Sequence, residues 1–304
     1  PSAVAQGLIW GIMAIGVYLT YRILDVADLT VDGSLGTGGA VCVVMVLNGA
    51  PVGLALLAAT AAGMLAGLVT GLFHTACGIP AILAGILTQL ALYSVNLRIM
   101  GFGTGGGKAN LPISVDKYGL LVSARYVRSV ALNNPILILA IFCAVLIAVL
   151  YWFFGTELGC SLRATGANQN MARAQGINTN VAKVLGLMIS NGLVALAGGL
   201  LAQYQGFSDI NMGRGAIVIG LAAVIIGEVI FSRIFRNFAL KLLSAVIGAI
   251  IYYIVMVFVL RLGLSTDDLK LLTALVVALF LTIPYWKGKY FTKTSVKKGE
   301  KNHA

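Results

Sequence analysis

The acidic side chains of this sequence are few and unevenly spread. Asp25, Asp28 and Asp32 fall within one stretch, Leu24-Asp-Val-Ala-Asp-Leu-Thr-Val-Asp-Gly-Ser34, and Glu228 stands alone inside the apolar run Gly220–Val229. Polarity and glycine in the first stretch argue for broken backbone. If that backbone is extended, Asp28, Thr30, Asp32 and Ser34 alternate onto one face and form a polar wall or gate. The other reading of the same residues is a capping turn, with an aspartate as N-cap of the helix that follows. Glu228 either lines a cavity or pairs with Arg233 or Arg236 nearby in sequence. His74, a lone histidine at the end of an apolar block, suits an interfacial role. Asn191, with Ser190 and Gln203, reads as glue between helices, and Asn191 joins the four residues of the first stretch and Glu228 as a candidate lining residue. No HExxH, no GxSxG and no paired carboxylates with a histidine are present, so catalysis by this chain is not expected.

These residues must be positioned by apolar elements. Hydrophobic residues make up 59% of the 304-residue chain and charged ones only 10%, against roughly 25% charged in soluble domains. Mean hydropathy is +0.96, and the apolar residues fall into blocks long enough to cross a hydrocarbon core as helices, about 20 residues each. The expected fold is all-α, a polytopic transmembrane helical bundle forming a single domain over residues 1–304. About eight to ten spans are expected, with nine candidates placed near 3–23, 33–48, 52–74, 79–97, 135–154, 183–204, 214–231, 239–260 and 269–286. The second, fourth and seventh are short or rich in glycine, so some of them are candidates for half-helices. The block from Ala3 to Leu24 has no basic segment before it and reads as a first span, not a removable leader.

The net charge of +11 does not point to nucleic acid, because the basic residues sit in loops between spans and in the tail 287–304. Placing 155–182, Arg233, Arg236 and that tail on the cytoplasmic side satisfies the lysine and arginine bias with one choice. The N-terminus is then outside, the C-terminus inside, and the loop 98–134 outside. Its run Gly101-Phe-Gly-Thr-Gly-Gly-Gly107 cannot hold a helix. With no GxxxxGK[ST] after it, a nucleotide-binding reading fails, and the run is better read as an outer gate or a ledge for a partner. Cys42, Cys77, Cys143 and Cys160 are widely spaced and read as small core residues. An internal echo links Asp32-Gly-Ser-Leu-Gly-Thr-Gly-Gly39 to Asn211-Met-Gly-Arg-Gly215. Each opens a short span followed by a long one, and the two units run in opposite directions, as in inverted-repeat transporters. Chance recurrence of glycine-rich helix starts would give the same pattern.

The most informative stretch is Gly159–Asn178. Asn168 is a good N-cap, Met171-Ala-Arg-Ala-Gln175 propagates a helix, and Gly176 ends it. Arg163 and Arg173 are placed to meet an acidic or carbonyl-bearing surface. A capped helix between two spans, too poor in bulky apolar residues to bind lipid well, suits the groove of another protein.

Here the sequence resembles the permease subunits of bacterial ABC importers of the branched-chain amino acid and ribose type. The similar pattern is Gly-x-x-x-Arg-Ala-x-Gly-x-Asn-x-x-x-Ala-Arg-x-x-Gly-Ile, carried by Gly159, Arg163, Ala164, Gly166, Asn168, Ala172, Arg173, Gly176 and Ile177. Ala195-Leu-Ala-Gly-Gly-Leu-Leu-Ala202 and the stretch Gly7–Ser34 match in position, so nearly the whole chain is covered. The resemblance implies a type II-like permease in which Arg163, Ala164, Thr165, Gly166, Asn168, Met171, Ala172, Arg173 and Gly176, within the segment 156–182, couple to a partner ATPase. It implies no cofactor in this chain, ATP and magnesium being held by that ATPase. It also implies an extracellular substrate-binding lipoprotein, a second permease copy, and a setting in membrane lipid. The Asp28-Leu-Thr-Val-Asp-Gly-Ser34 form of the early motif is similar to a subgroup associated with tryptophan or tyrosine uptake. The competing class, an ion-coupled secondary transporter, would need a membrane carboxylate with a clear partner and no coupling helix, and Glu228 is its one candidate.

Overall fold

The computed structural model describes residues 1–102, 106–114, 118–128, 134–231, 237–261, 271, 273–279 and 282. Its contacts divide the chain into two units, Pro1–Ile254 and Val255–Ala304. The described residues of the second unit are helical: the end of a helix that begins in the first unit, and residues 271, 273–279 and 282. Half of the ninth expected span, 269–286, thus falls outside the described residues, and the half that is described is helical.

The first unit is built from helices whose ends are written in the sequence. Helix α1 (Ser2–Tyr18) continues into a π-helical turn, Leu19–Ile23. Helix α2 is Val31–Leu47, and Gly49 at φ +84 with Pro51 then turns the chain into α3, Val52–Thr75. Helix α4 is Ala81–Met100 and α5 is Pro135–Gly155, the latter capped by Asn134, whose Oδ1 accepts from Ile136 N–H at 3.0 Å. Thr156 caps α6 (Glu157–Ala167), Asn168 caps α7 (Gln169–Ala174), and Asn178 caps α8 (Thr179–Gln205). Left-handed Gly206 ends α8. Then follow α9 (Ala216–Phe231) and α10 (Phe238–Arg261).

Among the described residues six helices are long and apolar enough to cross a membrane, and α2 and α9 are shorter apolar helices of 17 and 16 residues. The second and seventh expected spans are therefore the short ones, whereas the fourth, α4, is a full 20-residue helix. The fold is helical as expected, with one addition. Residues 110–112 (β1) pair antiparallel with 207–209 (β2), in the register Asn110↔Asp209 and Pro112↔Phe207, and this ribbon ties the long loop to the turn after α8. Nothing in a three-residue strand stands out from a polar loop by periodicity, so the sequence did not reveal it. Of the glycine run 101–107, residues 103–105 lie outside the described residues, and Gly101 packs against Gly106 too closely to admit a Cβ.

Helices α1 and α8 are buried along most of their length, while α5 shows most of its surface. The packing of α8 depends on small residues. Gly63, Gly67 and Gly71, one turn apart on α3, face Asn191, Leu187 and Val184 on α8, and a Cβ on Gly63 or Gly67 would strike α8 backbone. Gly38 of α2 meets Ala195 in the same way. Lipid gives helices no hydrophobic reason to associate, so dispersion between closely approached backbones has to hold them. Of the cysteines, Cys42 and Cys143 are buried as expected, but Cys77 and Cys160 are exposed and are not core residues.

Candidate functional site

The stretch between α1 and α2 packs beside the middle of α8. Asn191, near the midpoint of the 27-residue α8, donates from Nδ2 to Asp28 Oδ2 at 2.7 Å and to the Leu187 carbonyl at 3.0 Å, and its Oδ1 accepts from Ser34 Oγ at 2.6 Å. Asp28 Oδ1 also accepts from the Thr30 N–H at 2.9 Å. Thr30, Thr70 and Thr88 continue the network in a row across α2, α3 and α4, with Oγ–Oγ distances of 2.7 and 2.9 Å. All six of these polar side chains are buried. The four alternating residues do not share a face, because the backbone turns helical at Val31. Asp28 and Ser34 meet on Asn191, Thr30 points to α3, and Asp32 leaves in another direction.

Asp32 reaches the start of α9. Its Oδ2 accepts from Gly215 N–H and its Oδ1 from Ile217 N–H, each at 2.9 Å. No aspartate is the N-cap of α2: Thr30 holds that position without a side-chain cap hydrogen bond, Asp28 accepts from the Thr30 N–H, and Asp32 accepts from the start of α9, 183 residues away. From this junction α2 runs parallel to α8, while α9 runs the other way, with Gly220 against Met13 and Val17 and Glu228 at the far end beside Arg22. The two glycine-rich starts singled out in the sequence therefore meet and diverge, each leading a helix to the opposite end. Residues 210–215 are irregular backbone leading to this junction, with Gly213 against the Asp32 carbonyl, and Asn211, Arg214 and Gly215 are exposed. Such backbone survives in a membrane only where protein covers it or water reaches it.

Glu228 binds Arg22, with Nε–Oε1 at 2.7 Å and Nη2–Oε2 at 2.5 Å, in a two-pronged pair. Arg233 and Arg236, the partners expected from sequence, lie outside the described residues. Arg22 was missed because its pairing depends on the π turn of α1, and one extra residue per turn changes the face a side chain occupies. At the same end His74 Nδ1 contacts the Ile79 carbonyl at 2.9 Å and Nε2 lies 3.5 Å from Lys183 Nζ. Ser190 and Gln203 act between segments: Ser190 Oγ donates to the Gly16 carbonyl at 2.7 Å, and Gln203 Oε1 accepts from Leu121 N–H at 3.2 Å.

The segment 156–182 holds two short helices where the sequence suggested one. Asn168 Oδ1 accepts from Met171 N–H at 3.1 Å, and Gly176 has φ +82, as that reading required. The additional helix, α6, begins at Thr156, whose Oγ1 receives Gly159 N–H at 3.4 Å. Its Gly166 packs on the Ile23 carbonyl with no space for a Cβ, so α6 bears directly on the π turn. Thr165 and Ala172 are buried and Ala164 is half-buried, so these three hold the segment to its own chain. Arg163 donates to the Phe154 carbonyl at 2.6 Å and Arg173 Nε to Thr179 Oγ1 at 2.8 Å. Both arginines are thus engaged at home. Outward go Asn168, Asn170, Met171, Ala174 and Gln175, with Met171 62% exposed.

Comparison with known proteins gives this geometry its setting. Residues 2–283 match the family described as branched-chain amino acid transport system / permease component. The chain is 41% identical to a tyrosine transport system permease protein of Clostridioides difficile, over 92% of this chain and 89% of that one. It is 28% identical to an autoinducer 2 import system permease protein of Salmonella paratyphi B, over 72% of this chain and 59% of that one. Among solved structures, PsaBC from Streptococcus pneumoniae in complex with Fab shares the fold at TM-score 0.52 and 17% identity, covering 95% of this chain and 92% of that one. With helix starts buried beside the middle of α8, six helices among the described residues long enough to span and a match over nearly its whole length, the chain belongs to the family of membrane permease components of branched-chain amino acid transport systems.

Proposed function

We propose that this permease is the membrane subunit of an ATP-driven importer of an aromatic amino acid, oriented with its N-terminus outside and its C-terminus in the cytoplasm. The observation that carries the ATP-driven part is the α6–α7 segment: two capped helices between α5 and α8, anchored on the π turn through Gly166 and presenting Met171 and Ala174 outward. The substrate class is supported by the 41% identity to a tyrosine permease. ATPase subunits dock on α7, an external lipoprotein delivers substrate at the opposite end, and a second copy of this chain completes the path. Force applied to α7 passes through α6 to the π turn, and from there through Arg22–Glu228 to α9, whose start lies against Asp32. Asp28, Thr30, Ser34 and Asn191 anchor the fixed side of that junction, and Asp32 works at the moving side.

The test is co-purification with the companion ATPase, wild type against Met171→Glu with Ala174→Glu. Both positions are exposed, so the variant keeps its fold, whereas Ala172, only 3% exposed, would report on packing if changed. Loss of the ATPase from an otherwise well-behaved double variant is the expected result. An ATPase bound equally to both proteins would remove α7 from the docking surface.

A further inference from the structure

Beside the junction, residues Asp32, Gly33, Gln89, Leu90, Tyr93, Asn96, Ile210 and Arg214 line an open cavity of about 300 Å3. We propose that this cavity is a binding site within the permease for an α-amino acid, taking the carboxylate on Arg214, the ammonium on Asp32, and the side chain against Tyr93, Leu90 and Ile210. The proposal rests on the importer reading above and deepens it by giving the permease its own substrate site.

Three observations carry it. Arg214 is exposed from the chain beside the junction and has no acidic partner among the described residues, although Asp32 lines the same cavity. A guanidinium held within a membrane costs at least a few kcal/mol unless it faces water or an anion, and its planar fork matches a carboxylate. Asp32 accepts from the N–H groups of Gly215 and Ile217, with the Ala216 N–H also directed at it, and a carboxylate has about four acceptor positions. What remains suits an ammonium. Asn96 is 2% exposed, its Nδ2 makes only a 3.4 Å contact to the Gly33 carbonyl, and its Oδ1 is buried with no hydrogen-bond partner. Buried polar atoms without partners are rare, and a ligand is one way to satisfy them. Leu90 and Tyr93 supply apolar wall, both substantially exposed in the empty chain. The volume lies at the lower end for ligand pockets and admits a small molecule only.

The test is binding of radiolabelled L-tyrosine to the nucleotide-free permease–ATPase complex in nanodiscs, without the binding protein, with competition by L-tryptophan, L-leucine, tyramine and 3-(4-hydroxyphenyl)propionate. The expected result is competition by the amino acids and, for the two compounds lacking one charge, competition weaker by about tenfold or more, as befits a charge-assisted pair. Arg214→Gln should weaken L-tyrosine by about tenfold and leave tyramine unchanged, with chromatographic behaviour and melting temperature as in wild type. Tyr93→Ala should weaken tyrosine more than leucine. Unchanged tyrosine binding in Arg214→Gln overturns the proposal. So does absence of binding to a complex that, supplied with binding protein and ATP, still takes up an amino acid; the importer reading then stands alone. A complex that neither binds nor takes up any amino acid overturns both.

Discussion

At the scale of residues, the polar side chains of this membrane protein divide by what holds them. Asn191 is the centre of a closed set, in which one amide satisfies Asp28, Ser34 and the Leu187 carbonyl. Replacing it by leucine keeps the volume and leaves the Asp28 Oδ2 unpaired in the interior, at a cost of roughly 2 to 3 kcal/mol. A thermal-shift assay in detergent should show Asn191→Leu melting well below wild type, and Asn191→Asp lower still because two carboxylates would face each other. Equal melting temperatures would mean that the network contributes nothing. The identities of these residues were legible in the sequence, since Asp28, Thr30, Asp32, Ser34 and Asn191 stand out from an apolar background. Their partners were not, because contacts such as Asn191–Asp28 span 163 positions and depend on where α2 begins. Arg214 and Asn96 gave the weakest signal. Each is a single polar residue in or beside a span, and only the cavity sets them apart.

At the scale of elements, the short helices α2 and α9 meet at Asp32 and run to opposite ends. Helix α9 is held at its far end by Arg22–Glu228, with side chains 52% and 27% exposed. A pair that exposed stabilises the fold by less than about 1 kcal/mol, so its loss should be felt in coupling and not in stability. Arg22→Glu or Glu228→Arg alone should lower the amount of substrate taken up per ATP hydrolysed, and the charge-swapped double variant should recover most of it. Reconstituted vesicles in which the swap is as poor as the single variants would count against a mechanical role for the pair. The helix pattern was readable from the apolar blocks and, for α7, from Asn168 and Gly176, whereas the caps at Asn134, Thr156 and Asn178 emerged only with the structure. The π turn was not readable, because Leu19–Ile23 has the composition of any helix end. The β1–β2 ribbon was hidden for a related reason: its three residue pairs join segments 97 positions apart by their central Leu111 and Ser208.

At the scale of the whole molecule, the account makes the α6–α7 end cytoplasmic. Cys77, in the turn between α3 and α4, and Cys160, in α6, are exposed there, while Cys42 and Cys143 are buried. A membrane-impermeant maleimide should therefore label Cys77 and Cys160 in inverted vesicles and spare them in intact cells. Labelling in intact cells would reverse the orientation. The overall class was the most legible feature, because 59% hydrophobic residues in blocks of spanning length admit few architectures. The capped segment itself was legible in the sequence, and which of its residues face outward required the packing of α6 on Ile23. The most direct test of the account is uptake of L-tyrosine into vesicles holding the permease, its ATPase and its binding protein. Uptake that requires ATP, and that falls to background in Met171→Glu with Ala174→Glu, is the predicted result. Uptake that proceeds without ATP, driven by an ion gradient and indifferent to the α7 variant, would contradict it.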